Sequence, residues 1–292
     1  MFKGSFVALI TPMRTDGSVD EKKFAEFCDW QIKEGTHGLV PVGTTGESPT
    51  LSHAEHKRVV EIAIETAAGR VPVVAGAGSN STSEAIDLAA HAKDAGADAI
   101  LVVTPYYNKP TQEGMYLHFT AIADAVDIPL IIYNIPPRSV IDMSVETMAR
   151  LAKHKNIVGV KDATANLVRP LHTRIACGED FCQLSGEDHT AISYLAAGGH
   201  GCISVTGNIA PRLTSQMQTA WMEGRVKDAM DIQNRLVPLH DALFCETSPG
   251  PVKYAASLMG LTEDKCRLPL APVADATKAR VRAAMTSVGL LN

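Results

Sequence analysis

The chain is poor in the patterns that mark metal sites. Its six cysteines stand at 28, 177, 182, 202, 245 and 266, and none forms a CxxC pair. Structural zinc needs closely spaced ligands, so this scatter predicts no zinc module. Reduced, buried thiols of a cytoplasmic protein are the expectation. His53 and His56 lie three apart with Glu55 between them, which is not the HExxH order of zinc hydrolases, and they read as structural histidines near a helix start. A basic excess is also missing: 27 Lys and Arg against 32 Asp and Glu leave a formal charge of −5. That excludes the electrostatic footprint of a nucleic-acid or anionic-membrane binder. No apolar run reaches the ~20 residues that span a bilayer. The opening stretch MFKGSFVALITPM runs into a charged turn without a small-residue cleavage site, so a first strand is expected there and not a secretory signal. Gly76-Ala77-Gly78 follows a strand-like run, but Ser81 stands where a dinucleotide fingerprint has its third glycine, so a tight turn is expected.

What the sequence does have is alternation. Its 292 residues are 46% hydrophobic and 20% charged, an ordinary globular composition. Strand-like runs at 6–13, 38–45, 72–77, 99–105, 129–135, 157–163, 182–187 and 202–207 are each followed by a helix-like run, at 20–34, 52–68, 82–95, 112–125, 144–153, 166–176, 189–197 and 211–223. Ser52 and Glu55 have the spacing of a capping box at the second of these helices. The strands read as continuous apolar runs, as expected where helices cover both faces. Eight such units in one chain predict an α/β fold, a (β/α)8 TIM barrel over residues 1–224. Residues 225–292 predict a helical extension packed on it, with Pro238, Pro249, Pro251, Pro269 and Pro272 as breaks.

In this architecture chemistry belongs at the C-terminal strand ends, which directs attention to Thr44, Thr45, Tyr106, Tyr107, Tyr133, Lys161 and Gly186. Lys161 is the strongest signal. Strand alternation in Ile157-Val158-Gly159-Val160-Lys161-Asp162-Ala163 turns Val158 and Val160 outward and Gly159, Lys161 and Ala163 inward. The two small residues are expected to leave room around the ammonium. Desolvation favours a neutral amine, which can attack a carbonyl and form an imine. Asp162 points away and is a poor counter-ion. Tyr133 shares the inward parity on the preceding strand, where a phenol could relay protons. Thr44 is expected to end the second strand, and Thr44-Thr45-Gly46-Glu47-Ser48 offers hydroxyls and exposed amides to a carboxylate. Arg138, in the loop Ile135-Pro136-Pro137-Arg138-Ser139, suits bidentate carboxylate binding.

With these residues assembled, the sequence closely resembles the dihydrodipicolinate synthases, pyruvate-dependent Schiff-base lyases whose wider family includes N-acetylneuraminate lyase. The resemblance covers essentially the whole chain and rests on GTTGES (43–48), TPYYNKP (104–110), YNIPPR (133–138), GVKDAT (159–164), LSGED (184–188) and GHGCISVTGN (199–208). It implies condensation of pyruvate with aspartate 4-semialdehyde in lysine biosynthesis, without metal or organic cofactor. It matches Lys161 to the imine-forming lysine, and Tyr133, Thr44 and Tyr107 to a proton relay, with Tyr107 reaching in from a neighbouring subunit. Thr45, Gly186 and Ile203 match positions around pyruvate, and Arg138 matches the residue that meets the semialdehyde carboxylate. The resemblance further implies a homotetramer built as a dimer of dimers. It also implies an inhibitory L-lysine site at Ser48, Pro49, His53, His56, Asn80, Glu84 and Tyr106. Two departures from the enterobacterial pattern stand out: Pro49 replaces Ala, which bears on the regulatory pocket, and Ser248 replaces Asn in the extension. Neuraminate lyase and 2-keto-3-deoxy sugar acid aldolase are the enzyme alternatives. Arg138 and the Tyr106-Tyr107 pair speak for the synthase. A non-catalytic barrel would be expected to lose Lys161 or Tyr133, and both are present.

Overall fold

Four of the helices begin where a side chain takes up a backbone amide that the first turn leaves open. Ser52 Oγ accepts from the Glu55 N–H at 3.2 Å while Glu55 Oε2 accepts from the Ser52 N–H at 2.8 Å, the reciprocal cap expected of that spacing. Asp20, Thr111 and Ser144 cap helices Glu21–Lys33, Gln112–Ala125 and Val145–Leu151 in the same manner. The computed structural model describes residues 2–291, so Met1 and Asn292, the outer limits of the expected regions, lie outside the described residues.

Eight strands form one sheet: β1 (Gly4–Ala8), β2 (Gly38–Val40), β3 (Val74–Gly76), β4 (Ala99–Val103), β5 (Leu130–Asn134), β6 (Ile157–Asp162), β7 (Cys182–Ser185) and β8 (Gly201–Ser204). Their order is β2-β1-β8-β7-β6-β5-β4-β3, with parallel pairing from strand to strand and helices between them. This is the (β/α)8 barrel class, with added C-terminal helices. Apart from one intermediate residue in each of β4 and β6, the strand residues are buried, which explains their largely apolar character.

Two compact units contain these elements. The first, Val73–Ile203 with the N-terminal residues up to Lys3, carries β3 to β7 and most of β8. Tyr133 and Lys161 are register partners across β5 and β6, as are Ile131 and Gly159. The second, Gly4–Pro72 with Ser204–Asn292, carries β1, β2 and the C-terminal helices Val226–Leu243, Gly250–Leu258 and Asp275–Ser287. Asn208 stitches this unit at its centre: Oδ1 accepts from the Ile10 N–H at 2.9 Å, and Nδ2 donates to the Ala8 and Val205 carbonyls. No helix among the described residues is long and apolar enough to cross a membrane.

Three local expectations are corrected. The second strand stops at Val40, not 45: Pro41 has no N–H to continue the ladder, and Val42 is left-handed at φ 51°. Pro238 lies inside helix Val226–Leu243 and does not break it. An interior proline costs about 3 kcal/mol, but each of the fully buried Leu236, Leu239 and Leu243 contributes about 1.5–3 kcal/mol, so packing prevails. Pro136 to Ser139 form a single helical turn, not a loop. Of the six thiols, all unpaired, Cys28, Cys182 and Cys202 are buried, whereas Cys177, Cys245 and Cys266 are only partly so.

Candidate active site

In the first unit, β6 turns Lys161 toward β5. Its Nζ lies 4.1 Å from the centroid of the Tyr133 ring, and both residues are 6% exposed. Of the two small residues expected to leave room around the ammonium, Gly159 does not supply it. A Cβ on Gly159 would meet Cys182 Cβ at 2.6 Å and its carbonyl oxygen at 2.4 Å, so that side is filled by β7. The spacing comes from Gly186, just past β7: a Cβ there would stand 3.2 Å from Lys161 Cε and 2.8 Å from Ala163 Cβ.

Asp162 does not serve Lys161. It accepts from the Thr164 N–H at 2.8 Å and lies 3.8 Å from Arg169 Nε, while Arg169 also binds Asp142 and the Met143 carbonyl. Burial pushes the Asp162 carboxyl up, against the pull of Thr164 and Arg169. The Asn134 amide extends this network, donating to Asp142 Oδ1 at 2.7 Å and accepting from the Met143 N–H. Glu187 was not singled out by the sequence. Burial pushes its carboxyl up, Asp188 adds to this, and the charge of Lys161 opposes it. Ile203 is buried in β8.

Tyr107 follows β4 with φ +72°, a left-handed conformation that a bulky residue rarely holds, and its side chain is 90% exposed. Tyr106 beside it is half-buried, and burial together with the Glu84 carboxylate pushes its phenol up. Asn80 Nδ2 donates to the Tyr106 carbonyl at 3.2 Å, and Ser79 Oγ donates to Glu84. Asn80, Glu84 and Tyr106 are thus brought together by local bonds. Arg138 is exposed on the short turn after β5.

In the second unit, Thr44 and Thr45 occupy a turn well past β2, so the strand parity assigned to Thr44 does not apply. The amides of Gly46, Glu47 and Ser48 close on the carbonyls of Gly43 and Thr44, which leaves the turn to offer its hydroxyls and not those amides. Ser48 and Pro49 belong to the 3-10 turn Ser48–Thr50. His53 is exposed and His56 buried at the start of helix His53–Ala67. Among the described residues, no three His, Cys, Asp or Glu side chains group as a metal site.

Comparison with known proteins adds to this geometry. The profile of the dihydrodipicolinate synthetase family matches residues 1–288. The chain is 72% identical over 291 residues to the 4-hydroxy-tetrahydrodipicolinate synthase of Acidiphilium cryptum, covering 100% of both chains. It is 66% identical to that of Gluconacetobacter diazotrophicus, covering 100% and 99%. Among solved structures it resembles the chloride-inhibited dihydrodipicolinate synthase of Acinetobacter baumannii complexed with pyruvate (46% identity, TM-score 0.97, 100% of both chains). The lysine-bound enzyme of Cyanidioschyzon merolae is similar at 37% identity and TM-score 0.96, with 99% of each chain covered. A monomeric dihydrodipicolinate synthase variant is similar at 38% identity and TM-score 0.96, covering 99% and 98%.

Proposed function

The chain belongs to the dihydrodipicolinate synthetase family of lyases, and from that premise we propose that it condenses pyruvate with aspartate 4-semialdehyde through an imine on Lys161. The observation that carries this reading is the buried Lys161, set over the Tyr133 ring and given room by Gly186. The lysine nitrogen attacks the pyruvate ketone and water leaves. Loss of a methyl proton gives an enamine whose carbon attacks the semialdehyde carbon. The semialdehyde's own amine then displaces Lys161 and closes the ring as 4-hydroxy-tetrahydrodipicolinate. Each exchange at carbon and oxygen moves a proton, the role for Tyr133, Thr44 and Tyr107. Thr45, Gly186 and Ile203 frame pyruvate, and Arg138 meets the carboxylate of the second substrate. The imine itself withdraws the electrons, so the route calls for neither metal nor organic cofactor.

The same reading takes Tyr107 to be completed by assembly. Its exposure and its fixed left-handed backbone suit a side chain presented to another subunit. A homotetramer, as a dimer of dimers, is the proposed state. An apolar stripe supports a second contact: Val168, Leu171 and Ile175 are exposed at helical spacing, and Ile175 reaches 86%. Inhibition by L-lysine is proposed at Ser48, Pro49, His53, His56, Asn80, Glu84 and Tyr106, with Glu84 taking an amino group. Because Glu84 and the Asn80 amide already have local partners, the ligand would exchange those bonds for its own. A cytoplasmic enzyme, with residues 1–224 as catalytic barrel and 225–292 as packed extension, completes the proposal.

The deciding experiment treats the protein with pyruvate and borohydride and maps the adduct by mass. One reduced pyruvate on Lys161 is expected, and label on any other lysine defeats the mechanism. A coupled assay with pyruvate and aspartate semialdehyde, run beside N-acetylneuraminate cleavage, separates the synthase from its relatives.

A further inference from the structure

A second lysine is buried more completely than Lys161, and the reaction scheme makes no use of it. Lys253, on helix Gly250–Leu258, has a fully buried side chain, and its Nζ lies 2.5 Å from Glu47 Oε1, itself 1% exposed. Nζ also donates to the Lys265 carbonyl at 2.6 Å. The other carboxylate oxygen of Glu47 accepts from the Arg267 N–H at 2.9 Å. Both oxygens are therefore clamped by the C-terminal extension. Arg267 reinforces the clamp by donating to the Thr50 carbonyl and to both oxygens of Glu55.

What the clamp holds is a backbone that would not hold itself. Glu47 has φ 58° and ψ 35°, left-handed values that residues other than glycine keep only where their surroundings impose them. Its N–H closes the preceding turn on the Thr44 carbonyl at 3.1 Å, and the Gly46 carbonyl is fixed by Thr11 Oγ1 at 2.7 Å. The residue closing this turn through its main chain is thus the one anchored through its side chain. A shift of Glu47 is passed to Thr44 and Thr45 within one turn of chain.

We propose that Lys253 is a positioning residue for the condensation: through Glu47 it sets the turn that presents Thr44 and Thr45. The inference rests on the reading in which those threonines serve the reaction. The competing account makes the ion pair a stabilising element and nothing more. The two part company when both charges are removed together, because loss of one partner strands a buried charge, whereas loss of both does not.

The test uses Lys253→Met, Glu47→Gln and the double variant, assayed at temperatures where each is folded by circular dichroism. Each single change should lower Tm and reduce kcat roughly 10–100-fold, the scale of a misplaced reacting group, with pyruvate KM rising as well because Thr45 moves with the turn. The double variant should regain Tm but not kcat. Return of kcat with Tm overturns the proposal, and so does a folded single variant with wild-type kcat. Where a single variant fails to fold, the double variant decides alone. Borohydride trapping of pyruvate on Lys161 in the unaltered chain tests the underlying reading separately. Missing label there defeats that reading, whereas normal label with a fully active double variant defeats only the role of Lys253.

Discussion

Adding one methyl group at Gly186 should disable Lys161 without touching it chemically. The backbone there is not left-handed, so Gly186→Ala meets no conformational penalty, and its effect is one of contact alone. The new Cβ would stand 2.8 Å from Ala163 Cβ and 3.2 Å from both the Asp162 carbonyl oxygen and Lys161 Cε. The Gly186 N–H is held to that same carbonyl at 2.6 Å, so the backbone has little slack. The Lys161 side chain is the softest of these neighbours and should give way. Overpacking of this kind costs about 1–3 kcal/mol. At ~2–4 °C per kcal/mol for a large domain, Tm should fall by several degrees. Displacing the amine by a fraction of an ångström to about 1 Å should slow pyruvate trapping by up to roughly 10²-fold. Stopped trapping with borohydride, read by intact mass against time, measures that rate, and differential scanning calorimetry measures the stability. A variant that labels Lys161 at the wild-type rate with an unchanged Tm would refute the argument that Gly186 provides the space.

Tyr133→Phe should lower kcat by ~10²–10⁴-fold with a smaller change in pyruvate KM, as removal of a relay hydroxyl does; unchanged kcat would reduce Tyr133 to a packing residue. Arg138→Ala should leave the pyruvate adduct intact and impair use of aspartate semialdehyde, and semialdehyde kinetics identical to wild type would revise the substrate assignment. Titration with L-lysine should release or absorb heat and give partial inhibition that pyruvate does not relieve; no heat at millimolar lysine removes the regulatory site and leaves the catalysis standing. The Glu55 carboxyl is held down at about 2, chiefly by hydrogen bonds from the Arg267 guanidinium. A depressed folded-state value means stability present above the unfolded value of 4.5 and lost as pH falls toward 2. The stability gap between wild type and Glu55→Gln in denaturant melts should therefore narrow across that window, and a gap independent of pH contradicts the assignment.

Periodicity located the regular elements well. Helices Thr82–Ala95 and Gln112–Ala125 occupy the helix-like runs at 82–95 and 112–125. Strand ends were harder to read, because an apolar run does not announce where hydrogen bonding stops. Residues 41–45 look like strand by composition, but Pro41 and the left-handed Val42 end it. Lys161 was legible because a lone lysine interrupts an apolar strand. Lys253 carries a similar signal in Gly250-Pro251-Val252-Lys253-Tyr254-Ala255-Ala256, but on a helix a lysine is ordinarily read as facing solvent. Its partner Glu47 is 206 residues away in sequence, beyond any spacing rule. Glu187 was overlooked because acidic residues past a strand usually signify a solvated loop, and only the fold shows its burial.

The burial of two lysines also divides the amines of this chain by the size of what can reach them. Bulky acylating reagents find exposed ammonium groups such as Lys155 and Lys227, whose side chains are 76% and 86% accessible. Lys253, at 0%, is closed to any reagent while the fold persists, and Lys161, at 6%, leaves almost none of its surface open to a bulky one. A lysine-reactivity map made with a large probe would then be blank at both positions in the folded protein and would fill at both on unfolding. On the imine reading, a keto-acid-sized probe would separate them, marking Lys161 and sparing Lys253. Covalent ligands for this protein are accordingly better sought among small carbonyl compounds than among large amine-directed electrophiles.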